Sequence, residues 1–300
     1  MKFQWKQNGM ALTCAFLWGT AFVAQDLCSE LSPFLFNALR SAIAVGVLGV
    51  FLLLRRKIQR KKGTYQKQNR KLLWLGGLVS GLLLSLASNL QQFGISAGSG
   101  AGKAGFLTAT YVVLVPLIGI LFGKKNSFTV WISVGLTFVG LYLLCVKGDF
   151  TVAPADLYLV SCSVAFALQV IAVDWFVQKV DGIALSWVQF LFMALFSGIF
   201  ALFFGGRIPW AGMANWILPL LYIAIFSNCV AYTLQNLAQK DANPTVVSLI
   251  FSLESVFSVI AGALLLQEKL LLREYVGCVL MMGAVILSQI PLPPSRKKES

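Results

Sequence analysis

Long apolar runs separated by short polar segments are the dominant pattern along this chain. Ten of the runs are close to the length that an α-helix needs to cross a bilayer, about 20 residues at about 1.5 Å per residue. The pattern therefore predicts an all-α polytopic membrane protein with ten transmembrane helices. The predicted helices are 8–27, 33–54, 71–95, 102–123, 127–146, 155–178, 183–204, 214–238, 244–266 and 270–290.

Composition supports this prediction and excludes an ordinary soluble domain. Hydrophobic residues make up 58% of the chain and charged residues only 12%, with a mean hydropathy of +0.80. Soluble domains carry about twice that share of charged residues. No run of appreciable length is left over for a soluble domain between the predicted helices.

The positive charges predict the orientation of the chain. The formal net charge is +13, and nine of the 24 Lys and Arg residues lie in one polar loop, 55–71. With a cytoplasmic N-terminus, 18 Lys and Arg fall on the inner side and 5 on the outer side, while Arg40 lies within a helix. Because inner loops are enriched in Lys and Arg, both termini are predicted to be cytoplasmic. This distribution accounts for the charge without nucleic acid, although the loop could also contact anionic lipid head groups.

Several chemistries are disfavoured by what the sequence lacks. The chain contains no His, and its six Cys residues form no C-x-x-C motif. We therefore predict no metal site and no cofactor. A Walker signature is also missing, so no ATPase is predicted within this chain.

The second half of the sequence repeats the first. Two residue pairs recur at an offset of 148 and three at an offset of 143. The pairs are Cys14 with Cys162, Asp26 with Asp174, Gln92 with Gln235, Gly119 with Gly262, and Gly140 with Gly283. Each repeat then holds five helices, 1–146 and 147–300, and an odd number forces the second to enter the membrane from the opposite side. The sequence thus predicts an inverted repeat.

Glu254 is the most informative single residue. Its predicted helix, Pro244 to Leu266, is about 34 Å long and carries no other charge. An ionisable group at bilayer depth is costly, so it is expected to lie in a protein-lined cavity. Ser258 and Ala261, four and seven residues further along the same helix face, are small and would let neighbouring helices approach closely.

Other polar or amphipathic residues at depth complete the predicted substrate cavity. On the second offset Tyr111 lies opposite Glu254, and Gln92 opposite Gln235. Arg40 has two open interpretations, an interfacial arginine or a cavity residue. The predicted cavity residues are Trp18, Gln92, Tyr111, Gln169, Tyr232, Gln235, Glu254 and Ser258.

Three stretches resemble one membrane-protein family. They are FLWGTAF in the first predicted helix, Pro33 with Arg40 in the second, and LLLQEKLLLREYVGCVLMMGAVIL over the last two. With ten helices in two repeats, the chain is similar over nearly its whole length to the EamA family of the drug/metabolite transporter superfamily. The resemblance implies an inner-membrane carrier of small metabolites, many members being exporters of amino acids or related compounds. One departure is FGKKNS, with Lys124 and Lys125, where the family often has a Glu equivalent to Glu268.

These observations predict a secondary transporter of small metabolites, an exporter working by alternating access in the plasma membrane of a bacterium. A channel or a scaffold subunit is the alternative. A membrane-embedded enzyme would need a converging nucleophile and base, for which the scattered carboxylates and missing His offer little. The expected partners are a small-molecule substrate and the lipid bilayer, with a homodimer as a further candidate and no nucleic acid.

Three roles for Glu254 remain open at this point. It could load and release protons, act as a fixed counter-charge for a cationic substrate, or pair with another group as a structural carboxylate.

Overall fold

The computed structural model describes residues 4–65, 67–97, 101–146, 153–206, 208–265 and 270–290, and all the regular secondary structure in these ranges is helical. The predicted residues Lys2, Glu268 and Lys269 and the basic tail lie outside the described residues. The α-helices are α1 (Trp5–Asp26), α2 (Pro33–Lys61), α3 (Arg70–Ser96), α4 (Ala101–Ala109), α5 (Tyr111–Leu121), α6 (Phe128–Cys145), α7 (Pro154–Val177), α8 (Gly182–Phe204), α9 (Met213–Tyr222), α10 (Tyr232–Gln239), α11 (Pro244–Phe251), α12 (Glu254–Leu265) and α13 (Leu272–Ser288). A short 3₁₀ helix, Trp210–Gly212, precedes α9, and a π-helix, Ile223–Ala231, joins α9 to α10.

Eight segments of the described residues are long and apolar enough to cross a membrane. Two other long helices are not among these eight segments. Helix α13 has only 17 residues, and α1 is less apolar than the eight. The protein is therefore a multi-pass, all-helical membrane protein, and the count of ten remains a prediction. The eight segments are Pro33–Lys61, Arg70–Ser96, Ala104–Leu121, Phe128–Cys145, Pro154–Val177, Gly182–Phe204, Trp210–Gln239 and Pro244–Ala261.

Local capping sequences position several helix starts. Pro33 occupies the first turn of α2, and the Ser32 hydroxyl accepts a hydrogen bond from the Leu35 amide. Asp181 caps α8 by accepting from the Ala184 amide at 2.9 Å. At the start of α11, the Asn243 side chain likewise accepts a hydrogen bond from the Thr245 amide.

One predicted boundary is wrong. The polar loop was expected over 55–71, but α2 continues to Lys61. Lys and Arg are good helix formers, and positive charge is favourable at a helix C-terminus, so the basic residues extend the helix for about two more turns.

The main helix contacts join the first half of the chain to the second. Helix α3 packs on α7 and α8, α2 packs on α8, α6 on α13, and α1 on α12. Glycine makes the closest of these crossings feasible. A Cβ on Gly77 of α3 would lie 2.2 Å from the Val188 Cγ1 atom of α8. Small residues thus let the backbones approach in the absence of a hydrophobic driving force between helices in lipid.

Two of the predicted transmembrane helices are broken near their middle. Predicted helix 102–123 divides at Thr110 into α4 and α5, and predicted helix 244–266 divides at Ser252 and Leu253 into α11 and α12. Tyr111 and Glu254 are each the first residue of the second piece. The breaks therefore fall at positions that the 143-residue offset makes equivalent.

Polar contacts link several connections at one end of the bundle. Arg55 forms two hydrogen bonds to the Asp181 carboxylate, at 2.8 and 2.9 Å. Lys124 Nζ lies 2.8 Å from Asp174 Oδ2. Across the same end, the Asn243 amide donates to Asn126 at 3.1 Å. This is the end that carries the basic loop.

Candidate functional site

A central cavity lies where the broken helices face α1, α2 and α7. Its volume is about 50 Å³, and it is lined by 15 residues from the two halves of the chain. Seven come from the first half and eight from the second. The lining residues are Trp18, Phe22, Gln25, Arg40, Gln91, Thr108, Tyr111, Phe166, Gln169, Val170, Ser227, Tyr232, Gln235, Phe251 and Glu254.

The structure places six of the eight predicted site residues on this cavity: Trp18, Tyr111, Gln169, Tyr232, Gln235 and Glu254. It places the other two elsewhere. Gln92 is buried in α3 beside Gln91, the residue that lines the cavity instead. Ser258 lies one turn beyond Glu254 on α12, where its backbone amide is 2.9 Å from the position of a Cβ on Gly19. It therefore belongs to the contact between α1 and α12.

Aromatic rings form one wall of the cavity. Trp18 packs between two rings, with its centroid 4.9 Å from that of Tyr232 and 5.2 Å from that of Phe251. The Trp18 Nε1 atom is buried and has no hydrogen-bond partner among the described residues. On another side of the cavity, the ring centroids of Tyr111 and Phe166 are 6.4 Å apart. These rings offer apolar faces to a bound solute and at least one free donor.

The cavity also holds one basic and one acidic side chain. Arg40 is 4% exposed, and its guanidinium lies 4.9 Å from the centroid of the Phe36 ring. Its Nε atom has no acceptor among the described residues. Glu254 is 7% exposed, and no described side chain forms an ion pair with it. Because unpaired charges are costly to bury, both groups are expected to meet water or a bound solute.

A row of glutamines crosses the cavity wall. Gln235 Nε2 donates to Gln169 Oε1 at 3.0 Å, and Gln169 Nε2 donates to Gln189 Oε1 at 3.4 Å. The Gln235 Oε1 atom is left buried without a donor among the described residues. The row thus fixes Gln169 and leaves an acceptor at the cavity.

The glutamate and two neighbours owe their positions to irregular backbone. Glu254 begins α12, directly after the break at Ser252 and Leu253. Ser227 lies in the π-helix, and Tyr232 immediately follows it. π-Helical turns widen a helix and recur at functional sites, whereas irregular backbone at membrane depth is tolerated where it lines a cavity.

Sequence reasoning missed several lining residues. For two of them a signal was present: Phe22 and Gln25 lie four and seven residues after Trp18, on the same helix face. Gln91 and Thr108, by contrast, meet only in the folded chain, where Gln91 Nε2 donates to Thr108 Oγ1 at 3.4 Å. No spacing in the sequence would have paired them.

This arrangement can bind a small solute that carries both charges. The carboxylate of such a solute would bind to Arg40 and its ammonium group to Glu254, while the aromatic rings would contact its apolar part. In the described conformation the volume holds only a few waters, so a larger solute requires the walls to separate. The fold and the cavity together define a multi-pass helical membrane protein with a polar interior site.

Comparison with known proteins supplies the family. The model of the EamA-like transporter family matches residues 5–146 and again 153–289, which together cover most of the chain. The chain therefore belongs to the EamA-like transporter family and is a membrane transporter, and the family domain occurs in it twice.

Individual relatives agree with this assignment. A protein of Archaeoglobus fulgidus described as an uncharacterized transporter is 30% identical over 285 residues, covering 93% of this chain and 84% of the relative. A second protein of that organism, with the same description, is 25% identical and covers 93% of this chain and 95% of its own length. One solved crystal structure matches with a TM-score of 0.77 over 95% of this chain and 96% of the other, at 17% identity, and shows the shared fold.

Proposed function

We propose that this protein is a secondary transporter that exports small zwitterionic metabolites, amino acids or related compounds, by alternating access. The observation that carries the proposal is the presence of both Arg40 and Glu254 on one buried cavity, which both copies of the family domain line. Such a cavity offers separate partners to the two charges of a zwitterion. Polar sites at repeat interfaces are typical of secondary carriers.

The proposed topology is ten transmembrane helices in two inverted repeats, with both termini in the cytoplasm. Three observations support it: the 18 to 5 distribution of Lys and Arg, the two family matches, and the equivalent breaks before Tyr111 and Glu254. Contacts between counterpart helices, α2 with α8 and α6 with α13, fit a two-fold relation between the halves. The plasma membrane of a bacterium remains the expected location, and the two relatives come from an archaeon.

We propose that the cavity alternates by rocking the two repeats against each other. Val170, a lining residue of the cavity, lies one turn before Asp174 on α7, and Asp174 pairs with Lys124. Opening towards the cytoplasm would separate that pair and the Asn126–Asn243 contact, both of which join the two halves. The small cavity volume supports an occluded or nearly closed conformation.

Glu254 is proposed to exchange a proton for the cationic group of the substrate. Its carboxyl group has no ion-pair partner among the described residues, which disfavours the purely structural role. A single carboxylate that binds either a proton or an ammonium group couples the two fluxes in opposite directions. Proton entry on the outside would then release substrate there.

A comparison of growth media tests the function directly. Medium from cells lacking the protein and from cells overproducing it would be compared by mass spectrometry for small metabolites. We expect at least one zwitterionic compound to increase outside the cell with expression of the protein and to fall when it is deleted. A compound depleted from the medium on overproduction would indicate import and overturn the proposed direction.

A conductance measurement distinguishes the proposed carrier from the alternative, a channel. A carrier shows saturable exchange without single-channel conductance, whereas a pore shows conductance steps in a planar bilayer. The breaks in α4–α5 and α11–α12 favour the carrier, because half-helices that meet at a midplane site are typical of alternating-access folds.

A further inference from the structure

A second, larger cavity lies at the end of the bundle that carries the basic loop. Its volume is about 540 Å³, and it lies between the end of α2, residues 64–65 and 67–69, and the start of α8. Lys240, at the end of α10, closes another side. The two halves of the chain therefore both contribute to its walls.

The charges of this cavity are strongly one-sided. Five basic side chains line it: Arg55, Arg56, Lys67, Lys179 and Lys240. Its one lining carboxylate, Asp181, is already held by Arg55.

The remaining cations are largely free to bind an anion. Lys179 is the exception, because its Nζ atom already lies over the Trp175 ring, 3.1 Å from the ring centroid. Arg56, Lys67 and Lys240 form no ion pair with any carboxylate among the described residues. Three unneutralised positive charges around one space favour a ligand with more than one acidic oxygen, such as a phosphate group.

The shape of this cavity is held by contacts between the two halves. The Asp181 amide donates to Gln68 Oε1 at 3.2 Å, which ties the loop before α3 to the start of α8. With the Arg55–Asp181 pair, this fixes the position of the loop that carries Lys67. The basic residues here thus surround a formed recess, unlike those on the outer face of the loop.

A third cavity of about 290 Å³ adjoins the basic one and combines basic with aromatic side chains. The third cavity adds the side chains of Arg70, Leu73, Trp74, Trp187 and Val188 to five residues that line both cavities: Arg56, Tyr65, Lys67, Gln68 and Ala184. Trp74 is 44% exposed, and its ring lies 6.3 Å from that of Trp187 in an edge-on arrangement. A basic recess therefore continues into an aromatic groove on the outer surface of α3 and α8.

We propose that these adjoining cavities form a binding site for an anionic phospholipid, with its phosphate among Arg56, Lys67 and Lys240 and an acyl chain along Trp74 and Trp187. A soluble anion would use the basic recess alone, whereas the groove suits an amphiphile whose head group and chain are covalently joined. Aromatic side chains at head-group level and basic pockets between helices are both typical of lipid contacts. The bound lipid touches both halves of the chain and so stabilises one relative position of them.

The test uses the full-length chain purified in a neutral detergent. Phosphatidylglycerol, phosphatidylcholine and inorganic phosphate would each be titrated, and bound lipid counted by native mass spectrometry. The double variant Arg56→Gln with Lys67→Gln removes two charges from the recess. The matched control, Lys57→Gln with Lys61→Gln, removes two charges from the same helix end outside it.

We expect phosphatidylglycerol to bind in preference to phosphatidylcholine and its affinity to fall by at least about tenfold in Arg56→Gln/Lys67→Gln, since each lost charge weakens attraction to an anionic lipid severalfold. The control variant should change the affinity by less than about twofold, and inorganic phosphate, which contacts the recess but not the groove, should compete only far more weakly than the lipid binds. Equal losses in both variants would show diffuse attraction and overturn the proposal. Equal binding of the two lipids, or effective competition by phosphate, would overturn it as well.

A second measurement leaves the basic residues intact. Brominated phosphatidylglycerol quenches nearby tryptophan fluorescence, and we expect the fraction quenched at low lipid to fall in Trp74→Phe. Trp210→Phe, which removes an exposed tryptophan outside the two cavities, is the control. The same loss in both variants would place the lipid elsewhere on the surface.

Discussion

Glu254 combines burial with the lack of an ion-pair partner among the described residues. It is the first residue of α12, directly after the break in this membrane-spanning segment. The Trp18 and Tyr111 side chains share its cavity and surround it with rings. A carboxylate so placed is available to a proton or to an ammonium group of a substrate.

Replacing Glu254 tests this role at the level of one residue. Glu254→Gln keeps the shape and hydrogen bonding of the side chain but cannot ionise, so we expect transport to fall at least about tenfold and its pH dependence to disappear. The measurement is the initial rate of uptake into membrane vesicles between about pH 5 and pH 8, where a proton-coupled carrier responds.

Asp26→Asn is the matched control, because this exposed carboxylate at the end of α1 does not line the cavity. It should leave both the rate and the pH profile unchanged. If Glu254→Gln retained the wild-type rate and profile, Glu254 would be neither proton carrier nor counter-charge.

How far the site could be predicted differs between residues. Glu254 and Trp18 stand out in sequence because charged and amphipathic groups are rare at membrane depth. Gln92 was chosen on the same grounds, yet its neighbour Gln91 lines the cavity instead. Consecutive side chains of a helix point in directions about 100° apart around its axis. Which of these directions faces the interior is decided by the neighbouring helices.

At the scale of single elements, the contact of α1 with α12 holds the glutamate in place. A Cβ at Gly19 would lie 2.6 Å from the backbone carbonyl oxygen of Glu254 and 2.7 Å from the Phe257 Cβ. Neither neighbour is the far end of a flexible side chain. A larger residue at position 19 must therefore push the two helices apart.

Gly19→Ala is expected to destabilise the protein by about 1–3 kcal/mol, the usual range for overpacking, and to reduce transport. Gly9→Ala on the same helix meets nothing within 4 Å and should be neutral or slightly stabilising, because Ala is the better helix former. Thermal unfolding in detergent compares the two. Equal melting temperatures for the two variants would show that the close crossing is not as described.

The start of α8 provides a prediction about pH. Burial raises the pKa of Asp181, but hydrogen bonds from Arg55 and from the Ala184 amide outweigh it, so the pKa lies below its ordinary value. A carboxylate whose pKa is lower in the folded than in the unfolded state stabilises the fold. The full contribution is present when the pH is above the unfolded-state pKa, about 3.9, and it is lost as the pH falls through the folded-state pKa.

Asp181→Asn should therefore lower the unfolding temperature at neutral pH, and the difference from wild type should shrink below about pH 4. Asn remains a good N-cap, so the variant isolates the charge from the cap. The measurement is thermal unfolding in detergent across that range. A difference that stayed constant down to the lowest pH would contradict the ion pair as its source.

Element existence was largely predictable, whereas breaks within elements were not. The apolar runs identified the long helices, because about 20 consecutive apolar residues have few other uses. The division at Thr110 has no proline or glycine at that residue, and neither does the division at Ser252 and Leu253. At each break a hydroxyl donates to the backbone carbonyl three residues earlier, Thr110 to Leu107 and Ser252 to Leu249, and the hydrophobic pattern marks neither position. The helical residues 55–61 show the converse, since local propensity there outweighed polarity.

At the scale of the whole molecule, the two family matches divide the chain into related halves, and the cavity lies between them. Whether the second half is inverted depends on the side of the membrane that each connection faces. The connection after α2 turns at Gly63, and that after α8 turns at Gly206, both with positive φ.

Reporter fusions after Gly63 and after Gly206 test the inverted topology. A cytoplasm-dependent reporter should be active at the first site and inactive at the second, and an exterior-dependent reporter should show the opposite pattern. Activity of the same reporter at both sites would exclude the inverted repeat, whatever the protein transports.

Counterflow in proteoliposomes tests the central claim most directly. Liposomes loaded with a mixture of unlabelled amino acids would be diluted into single labelled amino acids, with amines or carboxylic acids that lack the other charge as competitors. We predict saturable accumulation of at least one zwitterion, with single-charge competitors at least about tenfold weaker because each leaves Arg40 or Glu254 unpaired. No saturable accumulation of any zwitterion, or equal competition by the single-charge compounds, would contradict the account.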